Sequence, residues 1–214
     1  MSQKEKTDKK EHLLEVAERV FGELGYEGAS TRVLAQEAGV NMAMLNYYFG
    51  SKDGLLKAVV ERRVSSMKKG FEEICRQDIS CQEKLTQILQ LYVGRVATSK
   101  YLHKIIFREI SVVRSGSDLS DYILEVLHGN AQVVQQIIEE GIRNGEFRAV
   151  DAEMTVTSIF GTVFYLINSR RLASKMLGMD LFNDQVLQEE TKPRLLAYLK
   201  DYIQVYLLTD ETEK

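Results

Sequence analysis

Residues 30–52 read S-T-R-V-L-A-Q-E-A-G-V-N-M-A-M-L-N-Y-Y-F-G-S-K, and this stretch decides the fold. Ser30 has the hydroxyl with which an N-cap accepts a backbone N–H, which predicts a helix over Thr31–Ala38 with Leu34, Ala35 and Ala38 on its inner face. Ala35 is small where a second helix must approach. Gly39, four residues later, can take the left-handed conformation that ends a helix. Val40 plugs the turn, and Asn41 caps a second helix over Met42–Tyr48. That helix turns Leu45 and Phe49 inward and leaves Met42, Ala43, Asn46 and Tyr47 outward. Two short helices crossing steeply around a glycine turn form a helix-turn-helix, and the outward face of the second fits a major groove. The same Ala-x3-Gly-x5-Leu spacing also occurs in ordinary pairs of core helices, so the flanks must decide.

On the N-terminal side, Leu13, Leu14, Ala17, Val20, Phe21 and Leu24 recur at helical spacing, predicting a bracing helix over Lys9–Leu24 that stops at Gly25. Tyr26 and Ala29 are expected to close the small core. Residues 1–8 are polar and charged and are expected as a mobile arm. Lys4, Lys6, Lys9 and Lys10 suit either a phosphate contact or a solvated tail. On the C-terminal side, Gly50 and Ser51 break the second helix, Ser51 caps the next, and Asp53 stands in its first turn. Lys52, beside the backbone N–H groups of that helix start, makes a reasonable phosphate clamp.

The run E-R-V-F-G-E-L-G-Y-E-G-A-S-T (18–31) through L-N-Y-Y-F-G-S-K-D-G-L-L (45–56) resembles the DNA-binding domain of the TetR family of transcriptional regulators. The segment E-G-I-R-N-G-E-F-R-A-V-D-A-E (140–153) is similar to that family's turn before its penultimate long helix. By position in the motif, Thr31, Tyr47, Tyr48 and Lys52 are expected on phosphates, and Asn41, Ala43 and Asn46 against bases, with Met42 on the same outward face. Asn46 stands where the family commonly has tyrosine, and an asparagine there can make a bidentate contact to adenine.

Beyond the motif the pattern stays helical. Leu55, Leu56, Val59, Val60, Val64, Met67, Phe71 and Ile74 predict a long fourth helix, Lys52–Arg76, which at about 1.5 Å per residue reaches roughly 37 Å. It is expected to link a DNA-binding domain, residues 1–51, to a ligand-binding and dimerisation domain, residues 52–214, and to act as the lever between them. S-C-Q-E at 80–83 is a capping box opening a fifth helix. A sixth is expected over Tyr101–Val113 and a seventh over Leu119–Arg143, ending at Asn144-Gly145. The eighth, Ala152–Lys175, is capped by Asp151. A linker spans 176–191, and Pro193 suits the first turn of a ninth helix. No segment alternates with period two, so no sheet is expected. The expected fold is all-α, about nine helices, with a three-helix DNA-binding domain followed by a larger helical body.

Composition narrows the function. The chain carries 28 Lys+Arg against 31 Asp+Glu, net −3, so no bulk positive field marks a nucleic-acid binder. The first 70 residues hold 12 against 10 and the remainder 16 against 21, the sign expected if only the front end meets phosphate. At 214 residues and 44% apolar content, the chain can bury a substantial core. Cys75 and Cys81 stand six apart with no CxxC, which argues against a disulfide framework. The start has no apolar signal segment and no run approaches a membrane span, so a cytoplasmic protein without a membrane partner is expected. There is no HExxH, phosphate-cradling glycine loop or nucleophile elbow, and His12, His103 and His128 are scattered. Neither metal, cofactor nor enzymatic activity is expected; an all-helical enzyme would need a reactive constellation that this sequence lacks.

In the body, Tyr92, His103, Phe107, Arg108, Tyr122, Phe160, Phe164 and Tyr165 mix aromatic rings and polar tips among aliphatics. Such an inventory lines a ligand pocket, and it equally makes plain core. The resemblance implies an inducer bound between the fifth to eighth helices and a homodimer through the eighth and ninth, whose apolar stripes exceed what one helix needs. A two-fold dimer reads half-sites about 34 to 36 Å apart, where one short helix reads only a few base pairs. The expected function is a ligand-responsive transcriptional regulator: a repressor on a pseudo-palindromic operator, released by a small-molecule inducer. An activator or a nucleoid-associated DNA-binding regulator would use the same reader.

Overall fold

The computed structural model describes residues 3–98, 100–111 and 118–208. In chain order the elements are α1 (Gln3–Gly28), α2 (Thr31–Glu37), α3 (Met42–Phe49), α4 (Lys52–Cys75), α5 (Cys81–Thr98) and α6 (Lys100–Ser111). Then follow α7 (Asp118–Arg143), α8 (Ala152–Asn168), α9 (Arg170–Leu177), the single turn α10 (Asp184–Val186), and α11 (Lys192–Leu207). Among the described residues no strand forms; Phe147 and Leu208 meet in an isolated antiparallel bridge. The all-α expectation holds. The chain divides into two compact units, Met1–Ser66 with Ser99–Val126, and Met67–Thr98 with Leu127–Lys214.

The first unit packs α1, α2, α3, the front of α4 and α6 around one core. Leu13, Ala17 and Phe21 of α1 meet Leu34 and Ala35 of α2, Leu45 of α3, Leu55 and Val59 of α4, and Ile105 of α6. Each fully buried leucine or phenylalanine contributes about 1.5–3 kcal/mol. The exposed Arg19–Glu23 pair, by contrast, adds under about 1 kcal/mol. Packing rather than surface charge therefore seats α1. One ionic contact is different in kind: Glu18, only 4% exposed, accepts from Arg62 at 3.2 Å and Arg63 at 2.9 Å, and Arg62 also pairs with Glu11. This clasp fastens α1 to α4. Gly22 lies so close to α6 that an added Cβ would stand 2.5 Å from that of Tyr101, and the Tyr101 hydroxyl donates to Glu23 at 2.9 Å.

Two expectations for this unit are corrected. The segment expected as a mobile arm is helical from Gln3, because K-E-K-T-D-K-K contains no residue that breaks a helix. Gly25 does interrupt the helix, with φ 73 and ψ 173, but Tyr26–Gly28 add a further turn beyond it. Leu24 lies outside the core, half exposed.

The second unit buries Phe71, Leu85, Ile88, Val134, Ile138, Ile159 and Ile203. The capping box at the start of α5 forms as read: Ser80 N donates to Glu83 at 3.1 Å and Glu83 N to the Ser80 hydroxyl at 3.2 Å. Glu146 adds a carboxylate there, accepting from Cys81 N at 2.7 Å, where the helix N-terminus favours negative charge. The helix expected to run to Lys175 is broken at Ser169 (φ −106, ψ 33), and α9 begins one residue later. The expected linker carries α10 and a π-turn, Leu187–Thr191, that runs straight into α11. Asn183 caps α10 through its side chain, a local signal inside a stretch that lacks long apolar periodicity.

Candidate nucleic-acid interface

Local chemistry builds the reader. The Ser30 hydroxyl accepts from Val33 N at 3.2 Å, starting α2, and the turn after it passes through Gly39 at φ 64. Asn41 Oδ1 accepts from Met44 N at 2.9 Å and starts α3. The first turn of α4 is pressed against the end of α3: a Cβ on Gly54 would sit 2.1 Å from the Phe49 carbonyl oxygen. Ser51 closes that junction by accepting from Gly54 N at 3.0 Å.

This packing leaves one face of α3 to solvent. Asn41, Met42, Ala43, Asn46 and Tyr47 are exposed, with Tyr47 at 73%, while Leu45 is buried beneath them. Tyr48 is half-buried, its ring edge-on to Tyr47 at 5.2 Å, and Thr31 is half-buried at the first position of α2. Asn41 spends its oxygen on the cap, so its NH₂ is what remains for a base edge.

Lys52 is held more tightly than the sequence suggested. Its Nζ donates to the Tyr26 carbonyl at 2.9 Å and lies 3.9 Å from the centre of the Tyr26 ring. The Tyr26 hydroxyl in turn donates to Asp53 at 2.5 Å, so the residue after the α1 break is tied to both sides of the α4 start. Reading Tyr26 only as core missed this, as the role of Gly54 was also missed. The signal available was composition alone: S-K-D-G puts a cation, an acid and a glycine in one helical turn. Of the N-terminal lysines, Lys10 lies 5.9 Å over the Phe49 ring, and the side chains of Lys4 and Lys6 fall outside the described residues.

The eight body residues do not form one described cluster. His103, Phe107 and Tyr122 belong to the first unit; Tyr92, Phe160, Phe164 and Tyr165 belong to the second. The side chain of Arg108 lies outside the described residues. Tyr92 and Phe160 meet edge-on at 4.8 Å, and burial pushes the Tyr92 phenol up. Tyr122 stands beside α4, with Lys57 5.6 Å from its ring, and burial followed by the charge of Glu61 raises its phenol. Phe107, Phe164 and Tyr165 are partly exposed, and the Tyr165 hydroxyl donates to Met176 Sδ at 3.3 Å. A cavity of about 30 Å³ in the second unit is lined by none of the eight. Among the described residues, no group of three or more His, Cys, Asp and Glu side chains is placed to hold a metal, and no helix is long and apolar enough to cross a membrane.

A capped, glycine-turned helix pair with an exposed second helix and an anchored lysine behind it defines a helix-turn-helix DNA-binding regulator. The sequence model of bacterial regulatory proteins of the tetR family matches residues 13–59, and that of the tetracyclin repressor-like C-terminal domain matches residues 78–168. The chain belongs to the TetR family of transcriptional regulators. The fatty acid metabolism regulator protein of Bacillus subtilis is 26% identical over 86% of this chain and 95% of its own length. The TetR family regulator PfmR of Thermus thermophilus has the same fold, with TM-score 0.73 and 19% identity over 92% of this chain and 99% of that one. So does the regulator FadR of Bacillus subtilis in complex with stearoyl-CoA, with TM-score 0.65 and 22% identity over 88% and 96%.

Proposed function

We propose that this chain is a cytoplasmic repressor that binds a pseudo-palindromic operator as a homodimer and leaves it when an inducer binds. The observation that carries the reading is the exposed face of α3 beside the fixed Lys52 ammonium, a base-reading surface with a phosphate anchor next to it. In this reading residues 1–51 are the reader. Thr31, Tyr47, Tyr48 and Lys52 meet phosphates, and Asn41, Ala43 and Asn46 face base edges, with Met42 beside them on the same outward face. The dimer forms through α8 and α11, where Met154, Phe164, Tyr165, Tyr198 and Val205 are exposed apolar side chains. An acyl-CoA thioester is the inducer class, because the relative aligned over nearly its full length is a fatty acid metabolism regulator and the FadR structure contains stearoyl-CoA. An inducer needs only a modest preference for the DNA-incompetent state: coupling of roughly 1 to 3 kcal/mol changes affinity about 5- to 150-fold.

The test is a fluorescence titration of the protein against its own upstream intergenic DNA at physiological salt, with excess competitor DNA. Tight, competitor-resistant binding that long-chain acyl-CoA reverses supports the reading. Binding no tighter than to competitor, with a steep salt slope, points instead to an architectural role. Within that assay, Asn46→Ala is expected to lose roughly 1 to 3 kcal/mol of discrimination at one base pair and little elsewhere. Equal loss across all operator variants would remove Asn46 from base reading.

A further inference from the structure

Between α8 and α11 the chain makes an arm whose two halves carry opposite charge. Residues 170–177, which form α9, read R-R-L-A-S-K-M-L and contain no acid; residues 178–191 read G-M-D-L-F-N-D-Q-V-L-Q-E-E-T and contain no lysine or arginine. Arg171 and Lys175 stand one turn apart on the exposed side of α9, and beside them Leu172 and Met176 are 53% and 70% exposed. Phe182, on the return towards α11, is 61% exposed, and Glu189 and Glu190 are exposed on the π-turn. Among the described residues, none of Arg171, Lys175, Glu189 and Glu190 takes part in a salt bridge within the chain.

The arm is built to hold that face outward. Gly178, at φ 68, closes α9, and Ala173 and Leu181 are buried beneath it. Leu181 N donates to the Ser174 hydroxyl at 3.1 Å, and Arg194 Nη1 in the first turn of α11 donates to Met179 Sδ at 3.7 Å. The bond from the Tyr165 hydroxyl to Met176 joins α9 to the exposed face of α8. An ordered segment that turns a leucine, a methionine and a phenylalanine to water makes an apolar patch of the kind that marks an interaction surface.

We propose that the arm, residues 170–191, docks on the arm of a second copy of this chain, with Leu172, Met176 and Phe182 at the centre and Arg171 and Lys175 facing the other copy's acidic return. The inference rests on the homodimer proposed above and extends its interface beyond α8 and α11. In a two-fold contact a surface meets its own copy reversed, so a segment basic in one half and acidic in the other is complementary to itself. The area agrees. An obligate homodimer takes at least about 1,000 Å² from each partner, roughly 65% of it apolar. At about 200 Å² for a fully exposed large side chain, Met154, Phe164, Tyr165, Tyr198 and Val205 of α8 and α11 offer no more than roughly 550 Å², and the arm adds roughly 370 Å². A lipid surface also suits a basic amphipathic helix, but Glu189 and Glu190 would be repelled by anionic headgroups.

The experiment uses two full-length variants, Arg171→Glu with Lys175→Glu and Glu189→Lys with Glu190→Lys, measured apart and as an equal mixture by sedimentation and native mass spectrometry. Each variant alone sets like charges against each other twice across the axis, and its dissociation constant is expected to rise about tenfold or more. In the mixture both contacts pair opposite charges again, so heterodimers are expected to outnumber either homodimer by about tenfold or more. Pairing within one chain cannot give that result. Leu172→Ser with Phe182→Ser changes side chains that are exposed in the protomer and is expected to weaken the dimer about tenfold or more, with circular dichroism unchanged. Variants that dimerise like the parent and mix statistically, or weakened variants that the mixture does not restore, would overturn the arm contact while leaving the homodimer standing. A parent that sediments as a monomer would overturn both. Loss of binding to phosphatidylglycerol vesicles in Leu172→Ser with Phe182→Ser, with the dimer intact, would make the arm a membrane contact and overturn the proposal.

Discussion

The Lys52 ammonium lies 3.9 Å from the centre of the Tyr26 ring and donates to the carbonyl of that same residue at 2.9 Å. A lysine side chain is a flexible four-carbon stem, and ordering it is a cost that phosphate binding would otherwise carry. Tyr26 removes part of that cost in advance. Tyr26→Leu is therefore expected to weaken every operator variant alike, by about 0.5 to 2 kcal/mol, without changing the salt slope, because the cation is still present. Lys52→Ala is expected to weaken binding and reduce the slope by about 1. Tyr26→Phe keeps ring and carbonyl and loses only the bond to Asp53, so it should stay near the parent. Titrations over a salt series separate the three.

The buried carboxylate of Glu18 gives a stability prediction. It accepts from Arg62 and Arg63, and its removal leaves Arg62, mostly buried, with Glu11 as its remaining acid. Glu18→Ala is expected to cost about 1 to 3 kcal/mol in urea unfolding, the range for a buried charged hydrogen-bond partner. Glu37→Ala breaks a still shorter pair with Arg19, at 2.6 Å, but both groups are exposed, so under about 1 kcal/mol is expected. Equal losses would mean that the clasp between α1 and α4 behaves as a surface pair.

What could be read in advance followed the range of each interaction. Ser30, Asn41, Ser80 and Asp151 cap as their spacing predicts, because a cap joins a side chain to a backbone group three residues away. The core face of α1 was legible for the same reason of fixed periodicity, apart from Leu24, which lies next to the break at Gly25. The tether of Lys52 to Tyr26 spans 26 residues of sequence, and no period connects them. The break at Ser169 was hidden because helix-compatible residues stand on both sides and no glycine or proline marks it. The body residues share a composition rather than a spacing, so the sequence points to a region and not to contacts such as that between Tyr92 and Phe160.

Alkaline pH probes the start of α5. The Cys81 thiol is pushed up to about 12 from an ordinary 9.0, first by burial and then by hydrogen bonding to Glu146. A raised folded-state value means the stabilising contribution is complete below pH 9 and is lost as pH rises towards 12, where the unfolded chain has released the proton and the folded chain has not. Urea midpoints are expected to fall between pH 8 and pH 10.5, and less steeply in Cys81→Ala. At pH 8 the buried native thiol stays protonated, so Cys81 should resist a thiol reagent until the protein unfolds.

Gly161 offers the sharpest test of the dimer. An added Cβ there meets nothing within 4 Å in the chain's own structure, although Gly161 lies on α8 with the exposed Met154, Phe164 and Tyr165. A leucine at that position therefore fits the protomer, and replacing glycine inside a helix favours the helix by up to about 1 kcal/mol. If α8 packs against its copy in a dimer, the same leucine occupies space where a second backbone must come close. Gly161→Leu is expected to leave circular dichroism and the unfolding midpoint unchanged or improved in the protomer, while sedimentation shows a dissociation constant raised about 100-fold or more. Operator affinity should fall with it, since a monomer engages a single half-site. A dimer that survives the leucine intact would move the interface off this face of α8, whatever its other apolar side chains suggest.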